Sequence, residues 1–155
     1  MFYNCISLKY INLNSSIKIQ AKNLEEMFYN CYSLTYIDIS NIIVNTSLNF
    51  GKMFQNCISL ESINLTNFKA LNARYMNSMF KNCYKLKILD LSYFKPSKLY
   101  NIQNMFYNCY SLTSINFSNF NIHDVKWMQN LFYGCSSLKS LNLSTFYSEN
   151  KYVTI

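Results

Sequence analysis

Glycine and proline are almost missing from this sequence, which contains two glycines and one proline among its 155 residues. That scarcity excludes a flexible linker or a low-complexity segment, because such segments are rich in these residues. Long apolar runs are missing as well. None approaches the ~18 residues that suggest a membrane-spanning helix. The sequence therefore predicts no segment that inserts directly into a membrane.

Side chains that carry catalysis or bind metals are also scarce. His123 is the single histidine, and the seven acidic residues are scattered, so the pattern positions no two carboxylates for acid–base chemistry. A cysteine–histidine nucleophile pair needs a cysteine within hydrogen-bond reach of the imidazole, and we expect Cys109 and Cys135 to lie on a buried side. The close cysteine pairs of a zinc site are missing. The sequence predicts a non-enzymatic protein without metal or cofactor.

What the sequence does contain is one motif in six copies, Met-Phe-x-Asn-Cys-x-Ser-Leu-x-x-Ile-x-Leu. Each copy starts 26 residues after the previous one, without insertion or deletion. A fixed period of this length is the signature of a solenoid, in which each unit contacts its neighbours. The chain divides into one domain of six repeats: 1–26, 27–52, 53–78, 79–104, 105–130 and 131–155.

Both ends of the chain bear on its completeness. It starts within a unit, and neither end carries the polar capping unit that solenoids normally need. Met1, Phe2 and Tyr3 already belong to the first repeat, so they do not begin a signal peptide. We expect the chain to be a fragment of a longer protein, which leaves its compartment open.

The second half of the motif predicts a β-strand. Its Leu-x-x-Ile-x-Leu core matches the strand segment of a leucine-rich repeat. With positions counted from the first residue of the motif, apolar and polar residues alternate from position 11 onward, as a half-buried strand requires. Positions 9, 10, 12 and 14 then face outward. We predict one parallel sheet containing Leu8–Asn14 and its five equivalents.

The end of each unit predicts a short helix on the opposite face. In the fifth unit, Val125, Met128, Leu131 and Phe132 are spaced three or four residues apart, which is the apolar stripe of a helix. Position 4 is suited to end that helix, because asparagine and glycine both tolerate positive φ; a ladder of asparagine ligands is the alternative. These residues are Asn4, Asn30, Asn56, Asn82, Asn108 and Gly134. Position 16 is apolar from the second unit on: Ile42, Phe68, Phe94, Phe120 and Phe146. The predicted fold is a right-handed α/β solenoid of six turns, with a parallel sheet on one face and short helices on the other.

Two further columns run through the units. Each unit has one cysteine, and we expect six free, buried thiols rather than disulfides or a metal site, since a buried thiol behaves as a small hydrophobe. They are Cys5, Cys31, Cys57, Cys83, Cys109 and Cys135. Tyrosines recur at positions 3 and 6. For these we favour stacking between successive units over an aromatic binding surface.

Taken together, these motifs resemble the 26-residue BspA-type leucine-rich repeats. The resemblance rests on Phe-x-Asn/Gly-Cys-x-Ser-Leu-x-x-Ile-x-Leu-Ser-x-Phe, followed by a predicted helix that ends in Met-x-x-Met-Phe. The resemblance covers all six units, hence the whole chain. It implies a cell-surface or secreted protein that binds host or matrix proteins or mediates adhesion. Departures occur in the first unit, where Ser16 replaces the expected aromatic residue, and around Ile42 in the second.

We predict that the partner is a protein bound on the open face of the sheet. Position 12 is always Asn or Asp, which supplies either acceptors for a partner backbone or a self-satisfying ladder. Nucleic acid is not indicated, because the basic residues are spread through all repeats and this face carries acidic groups. A structural spacer without a ligand is the alternative. The predicted site comprises Tyr36, Asp38, Glu61, Asn64, Lys87, Asp90, Thr113 and Asn116.

Overall fold

Short parallel strands recur along the chain at the period of the repeat. The structure is a computed structural model that describes residues 1–13, 17–19, 22–40, 42–44 and 46–144. Every strand in this part of the chain is three residues long. The strands are β1 (Tyr10–Asn12), β2 (Ile17–Ile19), β3 (Tyr36–Asp38), β4 (Ile42–Val44), β5 (Ser62–Asn64), β6 (Ile88–Asp90) and β7 (Ser114–Asn116).

The strands of the Leu-x-x-Ile-x-Leu segment pair at the 26-residue period. β1, β3 and β5 form one parallel sheet, in which Ile11 pairs with Ile37 and Ile37 with Ile63. β6 and β7 pair in the same register, Leu89 with Ile115. β2 and β4 form a separate parallel pair, in which Ile17 pairs with Ile42, 25 residues later. The predicted leucine-rich-repeat architecture of stacked parallel strands is confirmed. The handedness of the crossover and the count of six turns remain predictions.

The predicted extent of the sheet is wrong in two respects. The strands are three residues long, because a tight turn follows each of them; the Ser40 N–H, for example, donates to Asp38 Oδ1 at 2.9 Å. The sheet is also interrupted between β5 and β6, where the Lys87 N–H lies 3.4 Å from the Glu61 carbonyl oxygen. Residues 140–142, the sixth equivalent, do not form a strand.

The predicted helices are wrong, since no helix occurs among the residues that the structure describes. Consecutive tight turns take their place. In the third unit Met53 N–H donates to the Phe50 carbonyl and Cys57 N–H to the Phe54 carbonyl, three residues back, at 3.3 and 3.1 Å. Lys52 and Asn56 have φ of 53° and 64°, and a right-handed helix cannot continue through residues with positive φ.

Besides the hydrogen bonds within each turn, the turns bond to the neighbouring unit. In the third unit, alternate N–H groups donate to carbonyl oxygens 25 residues later; Phe54 N–H, for example, meets the Met79 carbonyl at 2.9 Å. The turn segments therefore form their own ladder of backbone hydrogen bonds along the solenoid. This ladder satisfies polar groups that lie against a buried core, where an unpaired group is costly.

The core lies between the strands and the turns. The phenylalanine of position 2 stacks on its equivalents with ring centroids between 5.2 and 6.0 Å apart and planes within 9° of parallel. This phenylalanine column consists of Phe2, Phe28, Phe54, Phe80, Phe106 and Phe132. Phe68, Phe94 and Phe120 of position 16 are fully buried as well, and Phe146 lies outside the described residues. Burial of such large apolar rings stabilises the stack of units.

Candidate functional site

The open face of the sheet presents the side chains that alternate with the buried ones. In β3, Ile37 is buried while Tyr36 is 43% exposed, and in β6 Leu89 is buried while Ile88 is 64% exposed. The structure therefore places the eight predicted site residues on the exposed or half-exposed side of their units. It divides them into two groups. Tyr36, Asp38, Glu61 and Asn64 lie on or beside the β1–β3–β5 sheet, and Lys87, Asp90, Thr113 and Asn116 lie on or beside the β6–β7 pair.

Glu61 and Lys87 connect the two groups across the interruption. Lys87 Nζ lies 3.2 Å from Glu61 Oε2, with both side chains about half exposed. An ion pair this exposed contributes roughly 0–1 kcal/mol to stability. Together with Ser62 and Ile88, the pair lines a shallow hollow at the point where the backbone pairing weakens. A partner can therefore displace this pair at little cost to the fold.

The Asn/Asp row of position 12 is engaged in its own turns. One side-chain oxygen of each residue accepts the N–H two residues later, at 2.9 to 3.1 Å. Asn64 Nδ2 also donates to Asp38 Oδ2 at 3.0 Å. These residues are Asp38, Asn64, Asp90, Asn116 and Asn142. The row thus already uses acceptor oxygens that a partner backbone would need, which leaves positions 9 and 10 as the exposed positions without this turn bond.

Asp38 is the most constrained charge on this face. Partial burial raises the pKa of its carboxyl, but hydrogen bonds from Ser40, Asn64 and Tyr36 outweigh that effect and hold the pKa below its usual value. The Tyr36 hydroxyl donates to Asp38 Oδ2 at 3.3 Å. Burial, followed by the neighbouring Asp38 charge, raises the pKa of Tyr36. At neutral pH this corner presents a carboxylate beside a neutral phenol.

The asparagines of position 4 combine the two roles that the sequence left open. Their φ lies between 57° and 64°, and Gly134 has a φ of 76°, which confirms the need for positive φ. From Asn30 to Asn108, each side-chain amide also donates to the equivalent amide of the previous unit; Asn56 Nδ2, for instance, meets Asn30 Oδ1 at 2.7 Å. The amides are used within the ladder, and the feature that they terminate is a turn rather than a helix.

Sequence reasoning missed a second column of positive φ. It occupies the residue before each motif, with φ between 53° and 59°. Its members are Glu26, Lys52, Ser78, Asn104 and Asn130. Only the two asparagines carry a residue type that signals this backbone conformation. Glu, Lys and Ser adopt it because the surrounding turns over-determine it.

The cysteines are all free. Four are buried, and each Sγ donates to the carbonyl of the phenylalanine 29 residues earlier; Cys57 Sγ meets the Phe28 carbonyl at 3.2 Å. Burial raises the pKa of Cys31 to about 11 and that of Cys83 further. The expectation of six buried thiols is wrong for Cys5 and Cys135, which are half-buried. A hydrogen bond from Cys109 lowers the pKa of Cys135.

Other candidate groups resolve into local contacts. Tyr3 stacks on Tyr29 with ring centroids 5.2 Å apart, and Tyr107 on Tyr133 at 4.8 Å, as expected for tyrosines of successive units. His123 Nδ1 lies 3.2 Å from Asp124 Oδ1. The described part of the chain contains no group of three or more His, Cys, Asp or Glu side chains that could hold a metal ion. No helix long and apolar enough to cross a membrane occurs in that part either.

Two solved structures resemble this one. A leucine-rich repeat protein from Bacteroides ovatus ATCC 8483 is 26% identical with a TM-score of 0.56, and the match covers 89% of this chain and 32% of that protein. A leucine-rich repeat protein from T. pallidum is 18% identical with a TM-score of 0.52, over 88% of this chain and 68% of that one. This chain therefore spans about a third of the first relative's length.

The likeness to these structures agrees with the repeat seen in the sequence. The 26-residue unit is a leucine-rich repeat, as its motif indicated. No curated protein matches the chain. Residues 1–111 match the family described as "Mycoplasma protein of unknown function, DUF285", and because the match covers well over half of the sequence, the chain belongs to that family.

Proposed function

We propose that this chain is a non-enzymatic, protein-binding repeat scaffold that binds its partner on the open sheet face. The observation that carries the proposal is the chemical variety of exposed side chains at positions 9 and 10, on strands held in fixed register. Tyr36, Glu61, Lys87 and Ile88 are all exposed there and differ in charge, size and polarity. A solenoid offers an extended surface of this kind to a partner.

The charges of the face favour a protein over a nucleic acid. Asp38, Glu61 and Asp90 lie among its lysines, and the hydrogen bonds to Asp38 keep that carboxylate ionised. A polyphosphate backbone is bound by a net positive surface, so these carboxylates would repel it. Mixed charge with exposed Tyr10, Tyr36 and Ile88 instead suits the polar and apolar mixture of a protein surface.

The proposed setting is the cell surface, in adhesion or in contact with host or matrix proteins. This part rests on the resemblance to BspA-type repeats. A structural spacer that holds another domain and has no ligand is the second candidate function. The stacked backbone ladders favour it, because they produce a stiff rod without requiring any exposed residue to be specific.

The test is a pull-down of solubilised host-cell surface and matrix proteins with the wild-type chain and with a triple variant. The variant carries Tyr36→Ala, Glu61→Lys and Lys87→Glu. The two substitutions reverse the Glu61–Lys87 ion pair rather than break it. We therefore expect the variant to fold while the positions of positive and negative charge on the sheet face are exchanged. We expect a retained protein to be lost from the variant.

A matched control reverses an ion pair on the turn side. Glu26 Oε1 and Lys52 Nζ lie 2.9 Å apart, so Glu26→Lys with Lys52→Glu and Tyr133→Ala repeats the same chemical change away from the sheet face. This control is expected to retain the partner. Equal retention by both folded variants would contradict the open face as the site, and no specific retention by the wild type would favour the spacer.

A further inference from the structure

The fold gathers basic residues that the sequence scatters. In the part of the chain that the structure describes, positions 17 to 22 form the crossing from the strand to the turns, and those of successive units lie side by side at one edge of the solenoid. Backbone hydrogen bonds of 2.8 to 2.9 Å join position 22 of successive units. This column runs through Lys22, Leu48, Arg74, Tyr100 and Lys126.

The outward side chains of this crossing are strongly biased in charge. Positions 18 and 21 point into the core, as buried Ala70, Ala73 and Leu99 show, while positions 17, 20 and 22 are exposed wherever they are basic. Among the described residues, the one acidic side chain on this edge is Asp124, which contacts His123 at 3.2 Å. We define the basic edge as Lys22, Lys69, Arg74, Lys95, Lys98 and Lys126.

Large apolar side chains are exposed on the same edge. Leu48 is 40% exposed, Leu71 43% and Trp127 48%. Leu48 belongs to the position 22 column itself, and Trp127 directly follows Lys126. Aliphatic side chains gain nothing against a soluble polyanion, whereas leucine and tryptophan beside lysines are the residues that enter the headgroup region of a membrane.

We propose that the basic edge is a docking surface for an anionic lipid bilayer, on which the solenoid lies without inserting a span. Each lysine or arginine close to such a surface is attracted by its negative potential, and the leucines and Trp127 add apolar contact. This edge is separate from the open sheet face, so a bilayer and a protein partner could be bound together. The proposal does not depend on the protein-binding function.

Vesicle co-sedimentation of the full chain tests this directly. Vesicles of phosphatidylcholine with about 30% phosphatidylserine are compared with pure phosphatidylcholine at about 0.1 M salt. We expect binding to the anionic vesicles only. A triple variant, Arg74→Gln, Lys95→Gln and Lys98→Gln, should bind roughly 100-fold more weakly, since each cation contributes about fivefold.

A charge-matched control removes three cations from the sheet face, with Lys9→Gln, Lys87→Gln and Lys139→Gln. It should bind like the wild type, and equal weakening in both variants would overturn the proposal. A second variant, Leu48→Gln with Leu71→Gln, keeps the charge and should weaken vesicle binding. If those leucines have no effect and heparin or an oligonucleotide binds as tightly as the vesicles, the edge recognises a soluble polyanion and the bilayer proposal is wrong.

Discussion

At the scale of single residues, the asparagine of position 4 has two structural tasks. It adopts positive φ at modest cost, and its amide bonds to the equivalent amides above and below. The sequence predicted the first task, because Gly134 shares only the backbone property with the asparagines. The second task could not be separated from a ligand ladder, since both interpretations need the same side chain at the same spacing.

Substitution at Asn56 separates these two contributions. Asn56→Ala removes hydrogen bonds to Asn30 at 2.7 Å and to Asn82 at 2.8 Å, and it replaces a residue type that tolerates a φ of 64° with one that tolerates it less. We expect the free energy of unfolding, measured by urea titration, to fall by about 2–4 kcal/mol. Asn56→Gly keeps a residue that tolerates positive φ, so it should lower the free energy of unfolding less than Asn56→Ala does. Equal losses would show that the backbone conformation contributes nothing.

The thiols make stability depend on pH in the alkaline range. Above the ordinary thiol pKa of 9.0 the unfolded chain releases the Cys83 proton, while the folded chain keeps it because burial raises the pKa. In this range the folded state binds more protons than the unfolded state. The free energy of unfolding therefore keeps its full value below pH 9.0 and decreases as the pH rises above it. The expected decrease is about 1.4 kcal/mol per pH unit for each such thiol.

Urea titrations below and above pH 9.0 measure that slope, with Cys83→Ala as the comparison. At neutral pH the variant is less stable because it leaves a cavity, but above pH 9.0 its slope should be shallower by one proton. An unchanged slope would mean that Cys83 does not stay protonated in the folded chain. Labelling at neutral pH adds a second check, because half-buried Cys135 with its lowered pKa should react before Cys83.

At the scale of elements, the strands were predictable and the helices were not. Alternation from position 11 located β1, β3, β5, β6 and β7, because one face of a parallel sheet must be buried. It did not indicate β2 and β4, and it predicted a sixth strand that residues 140–142 do not form. Spacings of three and four residues between apolar positions are shared by a helix and by consecutive turns. The positive φ of Lys52 excludes the helix and leaves the turns. Lysine rarely adopts this conformation, so the sequence could not indicate it. The interruption after β5 likewise has no signature in the motif.

The interruption predicts uneven protection of equivalent amides. Lys87 N–H lies 3.4 Å from its acceptor, whereas Thr113 N–H and Glu61 N–H, at the same position of other units, lie at 2.8 and 2.9 Å. We expect Lys87 to exchange its amide hydrogen about fivefold faster or more after correction for intrinsic rates. Nuclear magnetic resonance of exchange in deuterated buffer measures this. Protection of Lys87 equal to that of Thr113 would mean that the sheet is continuous.

The phenylalanine column predicts a gradient of stability along the solenoid. Phe54 is fully buried and stacks on rings at 5.3 and 5.4 Å, while Phe2 is half-buried with one partner at 5.2 Å. Phe54→Ala should lower the free energy of unfolding by about 3–5 kcal/mol, and Phe2→Ala by less than half of that. Urea titrations of both variants check the gradient. Equal losses would contradict stabilisation through neighbouring units.

At the scale of the whole molecule, the fold sorts side chains that the sequence distributes evenly. Among the described residues, successive units contribute to the sheet face, to the turn side and to the crossing edge, so a 26-residue period turns scattered residues into continuous columns. The sequence predicted the sheet-face column from strand alternation. It did not reveal the basic edge, because charges at positions 17, 20 and 22 line up only once the crossing is known.

The central claim is that the open sheet face binds a protein, and site-specific photocrosslinking tests it most directly. A photoreactive phenylalanine analogue replaces Tyr36 on the sheet face or, in a second chain, Tyr133 on the turn side; both tyrosines are exposed. Each chain is irradiated with solubilised host-cell surface and matrix proteins. We predict one crosslinked protein partner from position 36 and none from position 133. A partner crosslinked from position 133 and not from position 36 would contradict the claim.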